Sequence, residues 1–346
     1  MMSDFSKKVE ATVYNFAFGD AWGYVTEFKK FKDIVKKQYQ VPEILKVSDD
    51  TQMGLYTMKA MKLMMQNGVD FSQIDDPAVA DRIRVAFANA YVMFYYDKDN
   101  DRAPGMTCMS ALERYIYSSQ TNGLEGSSKN DSLGCGTIMR TPWIGLLPLT
   151  RREMAALAIL HSQTTHGHPL SWITSSVLTL MIDDLIHEKN TDDNDSSMFD
   201  HAVRIVDEIR DMNLALLENH SFDLVSLKQR LETFAFSWDE IVKVLQEVNG
   251  EFVDVNRVFG EGWTADESLY NALGVCSLYN GSSEIYSGIR RLVYTGGDSD
   301  SIAAIAGSIY GAKNGEFAVS KNEIINSLEP RYQDELGDMI EFISSN

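Results

Sequence analysis

Toward the end of the chain runs Gly296-Gly297-Asp298-Ser299-Asp300-Ser301-Ile302-Ala303-Ala304-Ile305-Ala306-Gly307-Ser308-Ile309-Tyr310-Gly311-Ala312. Its second part places Ile302, Ile305, Ala306 and Ile309 at i, i+3, i+4 and i+7, one face of an α-helix. The same period recurs upstream. Residues 7–18 put Val9, Val13 and Phe16 on one face, and residues 54–65 are rich in the helix formers Leu, Met, Ala and Lys. Residues 78–96, 151–161 and 171–187 read the same way. Alternating β-branched runs are almost absent, and seven prolines in 346 residues leave room for long helices. The chain therefore reads as all-α, one compact helical domain over residues 1–346 with no repeat of solenoid period.

Composition bounds the function. Hydrophobic residues make up 44% and aromatics 10% of the chain, enough for a large core and against disorder. Asp and Glu number 50 against 31 Lys and Arg, a formal net charge of −19. That balance repels phosphate backbones, argues against nucleic-acid partners and attracts divalent cations. No apolar run reaches the roughly 18–20 residues of a membrane span. The opening MMSDFSKKVE carries no apolar signal core. Three scattered cysteines, Cys108, Cys135 and Cys276, form neither a disulfide framework nor a zinc motif, so a cytoplasmic setting is expected. The polar segment 187–197 reads as an exposed loop, and 122–131 as a flexible Gly/Ser loop before a glycine-rich motif.

Two acidic knots, about 250 residues apart, carry the chemistry. Ser48-Asp49-Asp50-Thr51 and Asp298-Ser299-Asp300-Ser301 each open a helix. Capping accounts for one such residue per helix, because a side-chain oxygen there accepts an orphan backbone N–H. Each knot supplies three or four, and crowded carboxylates are costly unless solvent or a cation offsets them. Hard cations such as Mg²⁺ and Mn²⁺ take such oxygen ligands. Both readings are open at this point. Gly134-Cys135-Gly136-Thr137 lets backbone N–H groups approach an anion, and an ordinary turn explains it equally well. Thr165-His166-Gly167-His168-Pro169 holds two of six histidines without the partners zinc needs, so hydrogen bonding is the expected role.

Other segments are set aside. The methionines between Met53 and Met65 read as core filler. Asp75-Asp76-Pro77 reads as a helix start with proline at the first position. Asp97-Lys98-Asp99-Asn100-Asp101 lacks the glycine and glutamate of a calcium loop.

Together these residues resemble the ADP-ribosylglycohydrolase family. Gly19-Asp20-Ala21-Trp22-Gly23 with Glu27 is similar to the family's GDALG…E opening. Ser48 to Met53 resembles TDDTQM, Gly134 to Arg140 GNGALMR, Thr165 to Pro169 THPHP, and Gly296 to Gly307 GGDTDTVAAIAG. Trp263-x-Ala265-x-Glu267 is a weaker echo of the stretch before the last motif.

The resemblance implies an all-helical domain with a binuclear Mg²⁺ or Mn²⁺ site between helices. Its metal ligands would be Ser48, Asp49, Asp50, Asp298, Asp300 and Ser301. Asp300 and Asp50 would hold the reacting water, and Glu27 would position substrate or water. Gly134, Cys135, Gly136 and Thr137 would line the loop for the diphosphate, and His166 would face the substrate. Asp101 is a further catalytic candidate by its region. The implied reaction is hydrolytic release of ADP-ribose from a protein side chain, arginine first. The implied partner is an ADP-ribosylated protein or an ADP-ribose-containing small molecule. Two alternatives stand beside it: a non-catalytic ADP-ribose-binding or regulatory protein, and a hydrolase of another ADP-ribosyl compound. The departures are Ser48 and Ser301 for threonine, which keep the hydroxyl, Trp22 for a smaller residue, and Cys135 for asparagine, which favours either alternative.

Overall fold

Glycines spaced four apart let two helices pack backbone to backbone. In the computed structural model, which describes residues 3–118, 129–189, 197–246 and 253–345, helix α1 (Asp4–Gly23) runs antiparallel to the late helix Ser299–Asn314. A Cβ added to Gly19 would lie 2.3 Å from the Ala303 carbonyl oxygen, and one on Gly23 would lie 2.4 Å from that of Ser299. From the other side, Gly307 and Gly311 would meet Asn15 O at 2.2 Å and Thr12 N at 2.3 Å. The two backbones touch along four successive turns, which no larger residue permits.

The remaining helices follow in order. These are α2 (Phe31–Lys37), α3 (Asp49–Gln66), α4 (Pro77–Tyr95), α5 (Met106–Ser118) and α6 (Arg151–Ser162). Then come α7 (Pro169–His187), α8 (Met198–Asp211), α9 (Ser221–Phe236), α10 (Trp238–Leu245) and α11 (Asn256–Phe259). The last are α12 (Ala265–Leu278), α13 (Ile285–Val293), α14 (Ser299–Asn314), α15 (Lys321–Ser327) and α16 (Pro330–Ser344). Among the described residues there is no strand, and only two isolated bridges occur, Leu45 with Leu328 and Gly134 with Thr264. The all-α expectation holds.

Local signals explain the starts. Asp76 caps α4 through Ala78 N and Val79 N, with Pro77 at the first position as read from sequence. Thr150 and Glu153 close a reciprocal capping box on α6. Helix α7 is buried all round from Ser171 to Ile186. Its hydroxyls have no water to meet, so Thr174, Ser175, Ser176 and Thr179 donate to carbonyls one turn back at 2.9–3.1 Å. Met53, Met58, Met61 and Met64 join one continuous apolar core, as expected of filler.

Helix boundaries differ from the periodic reading at the two acidic knots. Helix α3 starts at Asp49 and α14 at Ser299, ahead of the first apolar residues. The carboxylates of Asp49, Asp50 and Asp300 thus sit within first helical turns. The loop expected at 122–131 lies outside the described residues over 122–128, and that at 187–197 over 190–196. Among the described residues, no helix is long and apolar enough to cross a membrane.

Candidate active site

The α1–α14 contact carries the end of α1 to the beginning of α14. Beyond Gly23 the chain turns back on itself, with Thr26 N and Glu27 N donating to Gly23 O at 2.8 and 3.0 Å. Ser299 fixes this turn: its hydroxyl donates to Gly23 O at 2.8 Å and lies 3.1 Å from Thr26 Oγ1. Glu27 is thereby held over the start of α14.

Asp20 brings in the third helix. Its carboxylate accepts from Ser48 N at 3.0 and 3.2 Å, from Thr51 N at 3.2 Å, and from the Thr51 hydroxyl. Asp20 therefore holds the first turn of α3 against α1, and the two acidic knots meet. Glu27, Asp298 and Asp300 each offer an oxygen within 4.8 Å of the others.

Capping explains part of this and not the rest. Ser48 does cap α3, accepting from Asp50 N at 3.2 Å. Asp298 precedes α14 but makes no side-chain cap bond. Gly297, at φ +90°, turns the chain so that Asp298 N donates to Glu261 O at 2.9 Å, and the Asp298 carboxylate faces the cluster. Asp49 Oδ2 accepts from Gly105 N at 3.3 Å across the cleft. The loop bearing Gly105 is anchored by Arg102, which donates to Val47 O at 3.1 Å and pairs with both oxygens of Glu329.

The cluster is electrostatically frustrated as it stands. Glu27, Asp49, Asp50, Asp298 and Asp300 are only 2–8% exposed. Burial first, and then the charge of Asp300, push Glu27 up to about 10 and Asp20 to about 7. The same two causes hold Asp49, Asp50 and Asp298 well above the usual carboxylate range, and burial raises Asp300. Glu27 Oε2, Asp50 Oδ2 and Asp300 Oδ1 are buried without any hydrogen-bond partner. Native proteins rarely leave such oxygens orphaned, because each lost partner costs about 1–3 kcal/mol. A set of hard, partnerless oxygens at this spacing fits a divalent cation.

These carboxylates floor a cleft of about 470 Å³ whose walls come from residues 103–108, the Gly134–Gly136 loop, His166, Phe28 and Trp263. Among the described residues, no lysine or arginine lines it. At the mouth, Phe28 (69% exposed) stacks on Trp263 (36% exposed), with ring centroids 5.4 Å apart and planes 17° apart. Phe28 adopts φ +61°, a strained conformation for a bulky residue.

The glycine-rich loop has a packing reason of its own. A Cβ on Gly134 would lie 3.1 Å from His166 Nε2, and one on Gly136 3.1 Å from His166 Cε1. Gly134 N and Cys135 N are already engaged, by Ser132 Oγ at 3.3 Å and Trp263 O at 3.0 Å. Thr137 is fully buried behind the loop and donates to Ser171 O at 3.2 Å. Only Gly134, Cys135 and Gly136 of the four expected loop residues reach the cleft.

His166 is fixed from behind. Arg140 donates to Thr165 Oγ1 at 2.8 Å, and that hydroxyl lies 2.9 Å from His166 Nδ1. Arg140 and Thr165 thereby fix the orientation of the ring, with Nε2 toward the glycines. Burial and the Arg140 charge lower His166 to about 3, which keeps it neutral. His168 accepts from Leu170 N at 3.1 Å and caps α7, away from the cluster.

Of the residues singled out by sequence, Glu27, Asp49, Asp50, Asp298, Asp300, Ser301, His166 and three loop residues line one cleft. Ser48 lies fully buried just beneath it, and Asp101 is exposed and outside the lining. Asp20 stood in the Gly19–Gly23 motif without a role, although a lone carboxylate amid the apolar residues of α1 was a signal. Phe28 was not singled out, and its only cue was its place beside Glu27.

Comparison with known proteins gives the family and the fold. The sequence model of the ADP-ribosylglycohydrolase family matches residues 1–343. A solved structure described as an "ADP-ribosylglycohydrolase-related protein complex" superposes with a TM-score of 0.61 at 18% identity, covering 99% of this chain and 98% of that one. At that identity the likeness speaks for the fold. No curated protein sequence matches the chain.

Proposed function

The chain belongs to the ADP-ribosylglycohydrolase family, and from that premise we propose that it is a Mg²⁺- or Mn²⁺-dependent hydrolase releasing ADP-ribose from a modified protein side chain, arginine first. The observation that carries the proposal is the buried junction where Glu27, Asp298 and Asp300 bring oxygens within 4.8 Å of one another. Partnerless oxygens on Glu27, Asp50 and Asp300 leave that junction short of positive charge.

Ser48, Asp49 and Asp50 at the start of α3, and Asp298, Asp300 and Ser301 at the start of α14, would hold two ions. Ser48 Oγ caps its helix through one lone pair and has another to offer. When bound, the ions supply Lewis acidity for activating the attacking water. Glu27, with Oε2 free, positions the water or the substrate. Cleavage at the ribose builds positive charge at the anomeric carbon, and surrounding carboxylates favour that charge. His166 presents Nε2 to the bound ligand, and the Gly134–Gly136 loop forms the wall beside it. Asp101 has no part in this reading.

Charge favours a cationic acceptor. A cleft with five carboxylates and, among the described residues, no lysine or arginine in its lining attracts a guanidinium-derived group more than a neutral ester or ether. The test is ADP-ribose release from proteins modified at arginine and at serine, run side by side with Mn²⁺. Release at least about tenfold faster from arginine is expected. Equal rates, or release from serine alone, contradict the arginine assignment. ADP-ribose binding without release from either protein would favour a non-catalytic binder, the reading to which Cys135 lends its one departure.

A further inference from the structure

Cys135 stands in the wall of the cleft against two of the residues assigned to the cation. Its Sγ lies 2.7 Å from Asp298 Oδ2 and 3.9 Å from Ser301 Oγ. The backbone holds it there, with Cys135 N donating to Trp263 O at 3.0 Å and Cys135 O accepting from Met139 N at 3.2 Å. A thiol is a weak hydrogen-bond donor, so a carboxylate gains little from it as a partner. Sulfur is, however, a good donor to a cation that the carboxylate also binds. An independent observation points to such a cation: Asp50 Oδ2 and Asp300 Oδ1, on residues 2% exposed, meet no hydrogen-bond partner beside this wall.

We propose that Cys135 Sγ is a ligand of the cation held by Asp298 and Ser301, and that it biases the site from Mg²⁺ toward a softer first-row transition cation such as Co²⁺ or Zn²⁺. The proposal rests on the cation-binding reading and deepens it. Mg²⁺ takes oxygen and holds its waters, whereas thiolate sulfur selects softer ions. On binding, the S–metal bond forms as the S–H bond breaks, and the proton passes to solvent, so no electron changes hands.

The experiment adds Co²⁺ to the full-length protein stripped of metal with EDTA and dialysed. Visible cobalt bands report binding, and a near-ultraviolet thiolate-to-cobalt charge-transfer band reports sulfur in the ligand set. Both are expected in the unaltered protein. Cys135→Ser should keep the visible bands and lose the near-ultraviolet one. Cys108→Ser should keep both, because Cys108 Sγ is turned to Arg140 at 3.8 Å and Gly136 O at 3.9 Å. In competition, the preference for Co²⁺ over Mg²⁺ should fall about tenfold in Cys135→Ser, the lower end of what altered ligand surroundings cost. Visible bands without the charge-transfer band in the unaltered protein would overturn the role of Cys135 and leave the cation site standing. No cobalt signal of either kind would overturn both.

Discussion

Gly19 on α1 and Ala303 on α14 are in backbone contact, so close that a Cβ on the glycine would sit 2.3 Å from the Ala303 carbonyl oxygen. Four such contacts along the two helices place Glu27 and Asp300 at one end of a rigid pair. Gly19→Ala would force the helices apart. Overpacking of this kind costs about 1–3 kcal/mol, and the carboxylate spacing should loosen with it. Chemical denaturation and cation affinity should therefore fall together. Unchanged values for both would mean that the pair is not what sets the site.

Asp20 is expected to matter without reaching the cleft. Its carboxylate satisfies two backbone amides and a hydroxyl at the start of α3. Asp20→Asn keeps the shape and turns an NH₂ toward donors, which should cost about 1–3 kcal/mol of stability. Cation affinity should drop as the first turn of α3 loosens. A variant with full stability and full affinity would contradict this role.

Stability without a cation should depend on pH with a definite sign. The folded protein holds Asp20 at about 7 and Glu27 at about 10, above ordinary carboxylates. A raised folded value means more protons bound in the folded than in the unfolded state, so this contribution is full below about pH 4 and is lost as pH rises through 7 to 10. The metal-free protein should therefore melt at lower temperature at pH 9 than at pH 6. A saturating divalent cation should raise the melting temperature by about 5 °C, and by more at the higher pH. A cation effect that shrinks with rising pH would contradict the cluster's role.

His166 should not titrate between pH 5 and 8. Burial and Arg140 hold it at about 3. Nitrogen NMR of the imidazole should show a neutral ring, unchanged over that range. A doubly protonated ring at pH 6 would contradict the burial of His166 beside Arg140.

The exposed Phe28–Trp263 stack should affect substrate more than folding. Trp263→Ala removes the partner of a ring already 69% exposed. Stability should shift by no more than about 0.5 kcal/mol, while KM for a modified protein rises. A large loss of stability would mean that the stack is structural.

Much of this was legible in the sequence. Helices announced themselves by the spacing of apolar residues, and the acidic knots by crowding more carboxylates than a cap uses. The starts of α3 and α14 were read late because the apolar period begins only after the polar first turn. That the knots meet depends on Gly19, Gly23, Gly307 and Gly311, which register in a pattern only as small residues. Thr137 and Asp101 show the limit of adjacency: each neighbours residues of the cleft region in sequence, yet Thr137 turns into the core toward Ser171 and Asp101 stays exposed.

The most direct test is ADP-ribose release from an arginine-ADP-ribosylated protein by the EDTA-stripped chain, before and after Mn²⁺ is added back, with Asp300→Ala in parallel. The account predicts release only with Mn²⁺, and none from a folded Asp300→Ala protein. Release that persists in EDTA, or that survives the loss of Asp300, would contradict it.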